Sequence, residues 1–150
     1  DIRLFTVGRL DRDTTGAILA TNNGQLANDL THPKNQVEKV YIASTKIDIL
    51  KENYRMVSSG IKLDGKTIAY GKIQRLGKKA GLIHWKVTLC EGRNHEVKRI
   101  FKALDSRVIH LHRESFAGLK VEKIPLGKYR ELKINEIKLL LKSNHLLDKY

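Results

Sequence analysis

The sequence predicts an α+β fold in which helices pack on a mixed, largely antiparallel sheet. Segments with strand-like alternation and segments with helical periodicity follow each other irregularly, without the regular order of a doubly wound sheet. Two strand-like segments are separated only by the short turn 77–81, which is typical of an antiparallel hairpin. With 150 residues, 41% of them hydrophobic, the chain is expected to form one domain whose core needs no disulfide.

The first half of the chain predicts two strands and two short helices. Residues 15–21 form an apolar run that is typical of a short buried strand. Asn23 is expected to cap a helix that ends before Pro33, because the residue ahead of a proline disfavours helical backbone. Residues 37–45 alternate as a strand, and residues 48–57 follow with a helical pattern.

The second half predicts a hairpin, two helices and one further strand. Residues 68–76 and 82–90 are expected to pair, with Trp85 in a core stripe of the second strand rather than on a base-stacking platform. Residues 93–104 show the clearest helical periodicity. The apolar positions of that helix are Val97, Ile100, Phe101 and Leu104. A strand over 108–113 and a last helix over 134–141 complete the expected elements.

Charge indicates a polyanionic partner. Lys and Arg number 29 against 16 Asp and Glu, which gives a net charge of +13 and a pI near 9.9. The stretch 71–113 holds 11 Lys and Arg against 3 Asp and Glu, together with four of the six histidines. A nucleic acid therefore fits better than a chain that is basic for solubility alone, or than an anionic membrane surface.

Several classes of protein are not expected. No apolar run approaches the length of a membrane span, and no secretion signal is recognisable. The single cysteine, Cys90, cannot form an internal disulfide or a cysteine-based zinc site. These features favour a monomer in the reducing cytoplasm, with no membrane or DNA partner.

The loop at residues 8–16, GRLDRDTTG, is the first candidate site. The arginines that flank Asp11 would keep its carboxylate ionised, and an ionised carboxylate can act as a nucleophile or a base. The same composition also suits a surface turn in which Asp13 accepts a hydrogen bond from the amide of Thr15. From composition alone the turn is the better interpretation.

Four motifs in order resemble the RNA pseudouridine synthases that modify ribosomal RNA. Residues 8–24, GRLDRDTTGAILATNNG, are similar to the family's G-R-L-D-x-x-T-x-G, apolar strand and T-N-D-G. Residues 38–41 resemble E-K-x-Y, and residues 91–101 resemble E-G-R-N-x-Q-V-R-R-M-F. Arg113 and residues 118–132 are similar to the closing R-x-x-x-G-x-L and G-x-x-R-x-L pattern. Together the motifs span nearly the whole chain.

The resemblance implies isomerisation of a uridine to pseudouridine in ribosomal RNA, with Asp11 as the nucleophile and with no metal or cofactor. It leaves open whether the adduct forms at C1′ or at C6. Residues 1–150 would be the catalytic domain, without the S4-type RNA-binding domain that usually precedes it in the family. A catalytically weak or inactive RNA-binding or ribosome-assembly module of the same fold is the alternative, and a basic ribosomal-type structural protein is a third.

The resemblance also implies roles for two further catalytic residues. Tyr41 matches the tyrosine that stacks on the target base, and its hydroxyl could help to remove the C5 proton. Without the resemblance, Tyr41 is a half-buried strand tyrosine. Lys98 matches the basic residue that pairs with the catalytic aspartate, a role that Arg99 could take instead.

The expected RNA contacts cluster around the same motifs. Arg9 matches an arginine that fills the gap left by a flipped uridine; otherwise it forms an ordinary salt bridge to Asp13. Glu96, where the family usually has Gln, is expected to repel phosphate. The other expected RNA contacts are Arg12, Thr14, Lys39, Arg93, Asn94, His95, Arg99 and Arg113. His110 and His112 lack a third ligand of suitable spacing, so they are expected at the surface or facing RNA rather than on a metal.

Overall fold

The computed structural model describes residues 1–150 and has an α+β architecture. Ten strands and four α-helices follow one another along the chain. The strands are β1 Phe5–Val7, β2 Thr14–Gly16, β3 Leu19–Thr21, β4 Lys39–Thr45, β5 Ile61–Lys62, β6 Ile68–Ala69, β7 Lys72–Lys79, β8 Leu82–Leu89, β9 Val108–Phe116 and β10 Leu119–Lys120. The helices are α1 Gly24–Thr31, α2 Lys51–Ser59, α3 Glu96–Ala103 and α4 Ile134–Ser143.

A six-stranded sheet organises the molecule. Its order is β10-β9-β4-β8-β7, and β2 pairs with β9 beside β10. Only the β2–β9 pair is parallel, and the other pairs are antiparallel. Two small sheets, β1-β3 and β5-β6, complete the fold. The prediction of a mixed, largely antiparallel sheet is therefore confirmed.

Two hydrophobic cores lie against the sheet. In the first core, α2 and α3 cover one sheet face, and Trp85 is fully buried between Tyr54 and Phe101. The indole Nε1 of Trp85 donates to Thr45 Oγ1 at 2.9 Å, so its polar atom is satisfied. The second core joins α1, α4 and β1 around Leu30 and Phe116. These facts confirm Trp85 as a core residue.

The predicted strand over residues 15–21 is wrong in one respect. It divides into β2, which pairs with β9, and β3, which pairs with β1. Gly16, at a φ of +117°, ends β2, and the amide of Ala17 donates to the carbonyl of Arg113 at 2.8 Å. An apolar run looks the same whether it enters one sheet or turns between two, so composition could not reveal this break.

Other boundaries shift while the element types remain. Asn23 caps α1, since its Oδ1 accepts from the amides of Gln25 and Leu26 at 3.1 Å. The expected strand 68–76 divides into β6 and β7, and the strand expected over 108–113 extends to the end of β9. The helix expected over 93–104 begins three residues later, at the start of α3. None of the helices is long and apolar enough to cross a membrane.

Candidate functional site

A cavity of about 590 Å³ opens where the two cores meet, and the motifs of the sequence converge on it. The loop before β2 forms one wall, the segment between β8 and α3 forms another, and the strands β4 and β9 form the floor. Among its lining residues are Arg9, Asp11, Arg12, Thr14, Lys39, Tyr41, Arg93, Asn94, His95 and Arg113. The fold thus assembles residues that are more than one hundred positions apart in the chain.

Asp11 has two basic side chains beside one of its carboxylate oxygens. His95 Nδ1 lies 3.0 Å from Asp11 Oδ2, and Lys98 Nζ lies 3.7 Å from the same oxygen. The Asp11 side chain is 27% exposed, so it remains accessible from the cavity. Its carbonyl accepts from the amide of Thr14 at 2.9 Å, which tightens the loop ahead of β2. The arrangement orients the Asp11 carboxylate beside two basic side chains at the cavity.

Lys98 joins the two acids of the loop. Its Nζ donates to Asp13 Oδ1 at 2.7 Å, and this hydrogen bond lowers the pKa of Asp13. Asp13 is therefore paired with Lys98, and neither an ion pair with Arg9 nor a bond from the Thr15 amide is present. Arg99 points elsewhere, to Asp64 at 2.8 Å. Of the two candidate partners for Asp11, Lys98 is the one that faces it.

Tyr41 lies on the floor of the cavity. Within the sheet it stands between Val87 of β8 and Arg113 of β9. Burial raises the pKa of Tyr41, while the guanidinium of Arg113 beside it works in the opposite direction. The phenol is consequently neutral near pH 7, and the side chain is among those that line the cavity.

Arg113 is a buried residue of β9, in the floor of the cavity. It is only 3% exposed, its Nε donates to the carbonyl of Ala17 at 2.7 Å, and its guanidinium lies 4.9 Å from the Phe116 ring centroid. Its Nη2 has no hydrogen-bond partner. Because Arg113 lines the cavity, the expected RNA contact at Arg113 stays a prediction, and it concerns only a group that enters the cavity.

Lys39 and Thr14 are also more enclosed than surface RNA contacts would be. Lys39 Nζ donates to the Val37 carbonyl at 3.0 Å, and burial lowers the pKa of Lys39. Thr14 is 9% exposed, and its Oγ1 has no hydrogen-bond partner. Both residues line the cavity, so each would meet only a group that enters it.

Glu96 turns inward and braces the turn before α3. It is 4% exposed, Oε2 accepts from the Arg93 amide at 2.7 Å, and Oε1 accepts from Arg93 Nη1 at 3.1 Å. Burial, followed by a hydrogen bond with Glu91, raises the pKa of Glu96 to about 7. The carboxyl of Glu96 is therefore occupied inside the turn, and the expected repulsion of phosphate by Glu96 stays a prediction.

The cations at the mouth of the cavity are exposed. Arg9 and Arg12 take part in none of the ion pairs, and Asn94 is exposed beside them in the lining. Arg93 is engaged with Glu96 and with Glu91. Glu91, the first residue of the E-G-R-N motif, was not predicted as a site residue. The sequence does not show which arginine a single acidic residue contacts.

His110 and His112 project from the sheet face opposite α3. Their cross-strand neighbours are Ser44 and Ile42, whereas Leu111 between them faces the core. Thr15 Oγ1 and His112 Nδ1 lie 2.8 Å apart. Nowhere in the chain do three or more His, Cys, Asp or Glu side chains form a group that could hold a metal ion.

Comparisons with known proteins point to one family. A family model described as RNA pseudouridylate synthase matches residues 1–103. The ribosomal large subunit pseudouridine synthase B of Bacillus subtilis is 42% identical over 140 residues, which cover 92% of this chain and 57% of that protein. The ribosomal small subunit pseudouridine synthase A of Haemophilus influenzae is 38% identical over 144 residues, which cover 93% of this chain and 60% of that protein.

A solved structure agrees. The crystal structure of a pseudouridylate synthase superimposes on this chain with a TM-score of 0.82 at 37% sequence identity. The superimposed region covers 91% of this chain and 59% of the chain in that crystal structure. The chain thus spans less than two thirds of the length of the relatives that it matches.

Proposed function

Because this chain belongs to the RNA pseudouridylate synthase family, we propose that it isomerises a uridine of ribosomal RNA to pseudouridine, with Asp11 as the nucleophile. The observation that carries the proposal is the Asp11 carboxylate, which lines the cavity, is 27% exposed and is contacted at Oδ2 by His95 and Lys98. The named relatives that act on ribosomal subunits support the choice of RNA.

The chemistry needs no oxidant and no second substrate. The C1′–N1 bond breaks, the uracil rotates, the C1′–C5 bond forms, the C5 proton leaves, and N1 gains a proton. In one route the carboxylate of Asp11 attacks C1′ and is later expelled by C5; in the other it adds to C6 and is eliminated after the transfer. Both routes regenerate the carboxylate, so one group serves as nucleophile and as leaving group.

The partners of Asp11 set its orientation. Both His95 and Lys98 approach Oδ2, so we assign the attack to Oδ1. Fixed contacts to the carboxylate reduce the entropy lost in reaching the reactive geometry. Lys98 is anchored in turn by Asp13, at 2.7 Å, and it is the residue that links the loop to α3.

Tyr41 provides a surface for the base. Its ring lines the cavity that Asp11 also lines, and an aromatic face stacks on a nucleobase without sequence preference. Because burial raises the pKa of Tyr41, little phenolate is present near pH 7 to accept a proton. Stacking is therefore its main role, and removal of the C5 proton through the hydroxyl is secondary.

The exposed arginines at the mouth of the cavity suit the binding of a flipped nucleotide. A base must leave its stack to reach Asp11, and a planar cation can fill the space that it leaves. Arg9 is exposed, unpaired and two residues from Asp11, which suits that role. Arg12, Asn94 and Arg93 lie where the flanking phosphates would pass, and side chains of these types contact phosphate readily.

Release of tritium from ribosomal RNA labelled at C5 of uridine tests the proposal. The protein is incubated with an unmodified transcript, and the tritium released to water and the pseudouridine in the product are both measured. We expect release from the wild type and none above background from Asp11→Ala, with RNA binding retained by both. Binding without release by the wild type would contradict the proposal and favour an RNA-binding module.

A further inference from the structure

A second groove lies away from the Asp11 cavity, between α2 and the β7–β8 hairpin. It has a volume of about 520 Å³. Its polar lining consists of Arg55, Ser58, Lys72, Gln74, Lys86 and Thr88, which we call the basic groove. No Asp or Glu lines it. We propose that the basic groove binds the sugar–phosphate backbone of the RNA at a distance from the target uridine, an inference that rests on the proposed action on RNA.

The charge of the basic groove is not neutralised within the protein. Arg55, Lys72 and Lys86 are exposed, and none of them appears in an ion pair. The nearby Arg75, by contrast, is bound to Asp48 at 2.8 Å. Three unpaired cations without an acid form a local positive potential, which attracts a polyanion and releases its counterions.

The hairpin register brings the two lysines together. Lys72 lies opposite Thr88, and Gln74 lies opposite Lys86, so these four side chains share one sheet face as adjacent pairs. Hydroxyl and amide side chains among cations are the set that contacts phosphate and sugar oxygens. An acidic protein surface would need mainly the cations, so the neutral donors at Thr88 and Gln74 favour RNA.

A path leads from the basic groove toward the Asp11 loop. Across the sheet, Gln74, Lys86, Ile42, His112 and Thr15 are successive neighbours in register. This face is opposite the one covered by α3, and it also carries exposed His110. Thr15 follows the cavity residue Thr14 in β2, but the two side chains lie on opposite sheet faces, so RNA on this face reaches the loop of Asp11 only by passing around the edge strand β2.

Charge reversal distinguishes the basic groove from general basicity. We compare Lys72→Glu/Lys86→Glu with Lys128→Glu/Lys138→Glu, which makes the same charge change at two exposed lysines that line neither cavity. Binding of an unmodified ribosomal RNA transcript is measured by filter binding at several salt concentrations, in the Asp11→Ala background, so turnover plays no part. Circular dichroism establishes that each variant is folded.

The groove variant is expected to bind the transcript at least tenfold more weakly than the control variant. Its salt dependence, as the slope of log K against log salt, is expected to fall by about 2, roughly one for each phosphate that the groove no longer neutralises. Equal affinity and equal slope for the two variants would overturn the proposal. So would unchanged RNA binding together with weakened binding of an acidic ribosomal protein, which would assign the groove to that partner. This binding assay does not depend on turnover. A wild-type protein that forms no pseudouridine would therefore contradict the proposed function without contradicting RNA binding by the basic groove.

Discussion

Gly16 and Arg113 face each other in the parallel β2–β9 pair so closely that a Cβ atom at Gly16 would lie 2.1 Å from the Arg113 carbonyl oxygen. The next residue, Ala17, donates its amide to that carbonyl and accepts from Arg113 Nε. The glycine therefore allows β2 to close over a buried arginine. This close approach places the loop of Asp11 against the strand that forms the cavity floor.

Gly16→Ala is expected to destabilise the protein by about 3 kcal/mol or more, because a backbone clash adds to the strain of a positive φ. Gly77→Ala is the matched control, since Gly77 has a φ of +140° and no atom within 4 Å of an added Cβ. Strain alone costs about 1 kcal/mol there. Denaturant unfolding measures both, and equal destabilisation would show that the close approach to Arg113 is not needed.

His95→Ala is expected to lower kcat roughly tenfold with little effect on KM. The substitution removes one of the two side chains that orient Asp11 Oδ2, and such a charge-assisted interaction contributes about 1–2 kcal/mol. Single-turnover and steady-state kinetics separate the two parameters. His145→Ala, at an exposed histidine outside the cavity, is the control. A rise in KM with constant kcat would assign His95 to RNA binding instead.

Tyr41→Phe and Tyr41→Leu separate stacking from proton transfer. If the ring stacks on the base, Phe retains most of the rate, whereas Leu loses about 1–3 kcal/mol of stacking and slows the reaction at least about fivefold. The raised pKa of Tyr41 leaves little phenolate near pH 7, which supports this order. The measurement is the single-turnover rate of pseudouridine formation. Equal and severe losses of rate in both variants would make the hydroxyl essential.

Glu96 predicts a pH dependence of stability. Its pKa is raised from 4.5 in the unfolded chain to about 7 in the folded protein, so the folded state binds more protons between these values. The free energy of unfolding therefore falls as pH rises from about 5 to about 7.5. The fall is limited to on the order of 1 kcal/mol, because the pKa of Glu91 shifts in the opposite direction and solvent screens the pair.

Glu96→Gln is expected to remove that pH dependence. A glutamine amide can accept from the Arg93 amide and donate toward Glu91, as the protonated acid does. Thermal unfolding of both proteins at pH 5 and pH 8 checks it. The two should agree at pH 5 and the variant should be the more stable at pH 8; the same difference at both pH values would contradict the assignment.

Local sequence patterns predicted much of the fold. Helical periodicity located α3, an asparagine located the start of α1, and a short polar turn located the β7–β8 hairpin. These features depend on residues that are close in the sequence. The break after Gly16 was missed because it depends on Arg113, which lies in a strand ninety-seven positions later.

The sequence predicted which residues belong to the candidate site better than it predicted the contacts between them. The motifs located Asp11, Tyr41 and Lys98 around one cavity region, but not His95 as the nearest partner of Asp11. Burial decided the other differences. A polar residue such as Arg113 or Glu96 looks exposed in a sequence, and only the packed structure shows that its side chain is buried and hydrogen-bonded inside the fold.

The most direct test of Asp11 as the nucleophile is pseudouridine formation under single-turnover conditions by Asp11→Asn and by Asp13→Asn. Both acids belong to the same loop and both contact Lys98, but only Asp11 is held by His95. Asp11→Asn is expected to form no detectable product while binding RNA normally, and Asp13→Asn is expected to remain active. Product from Asp11→Asn at the wild-type rate would contradict the assignment of Asp11 as the nucleophile.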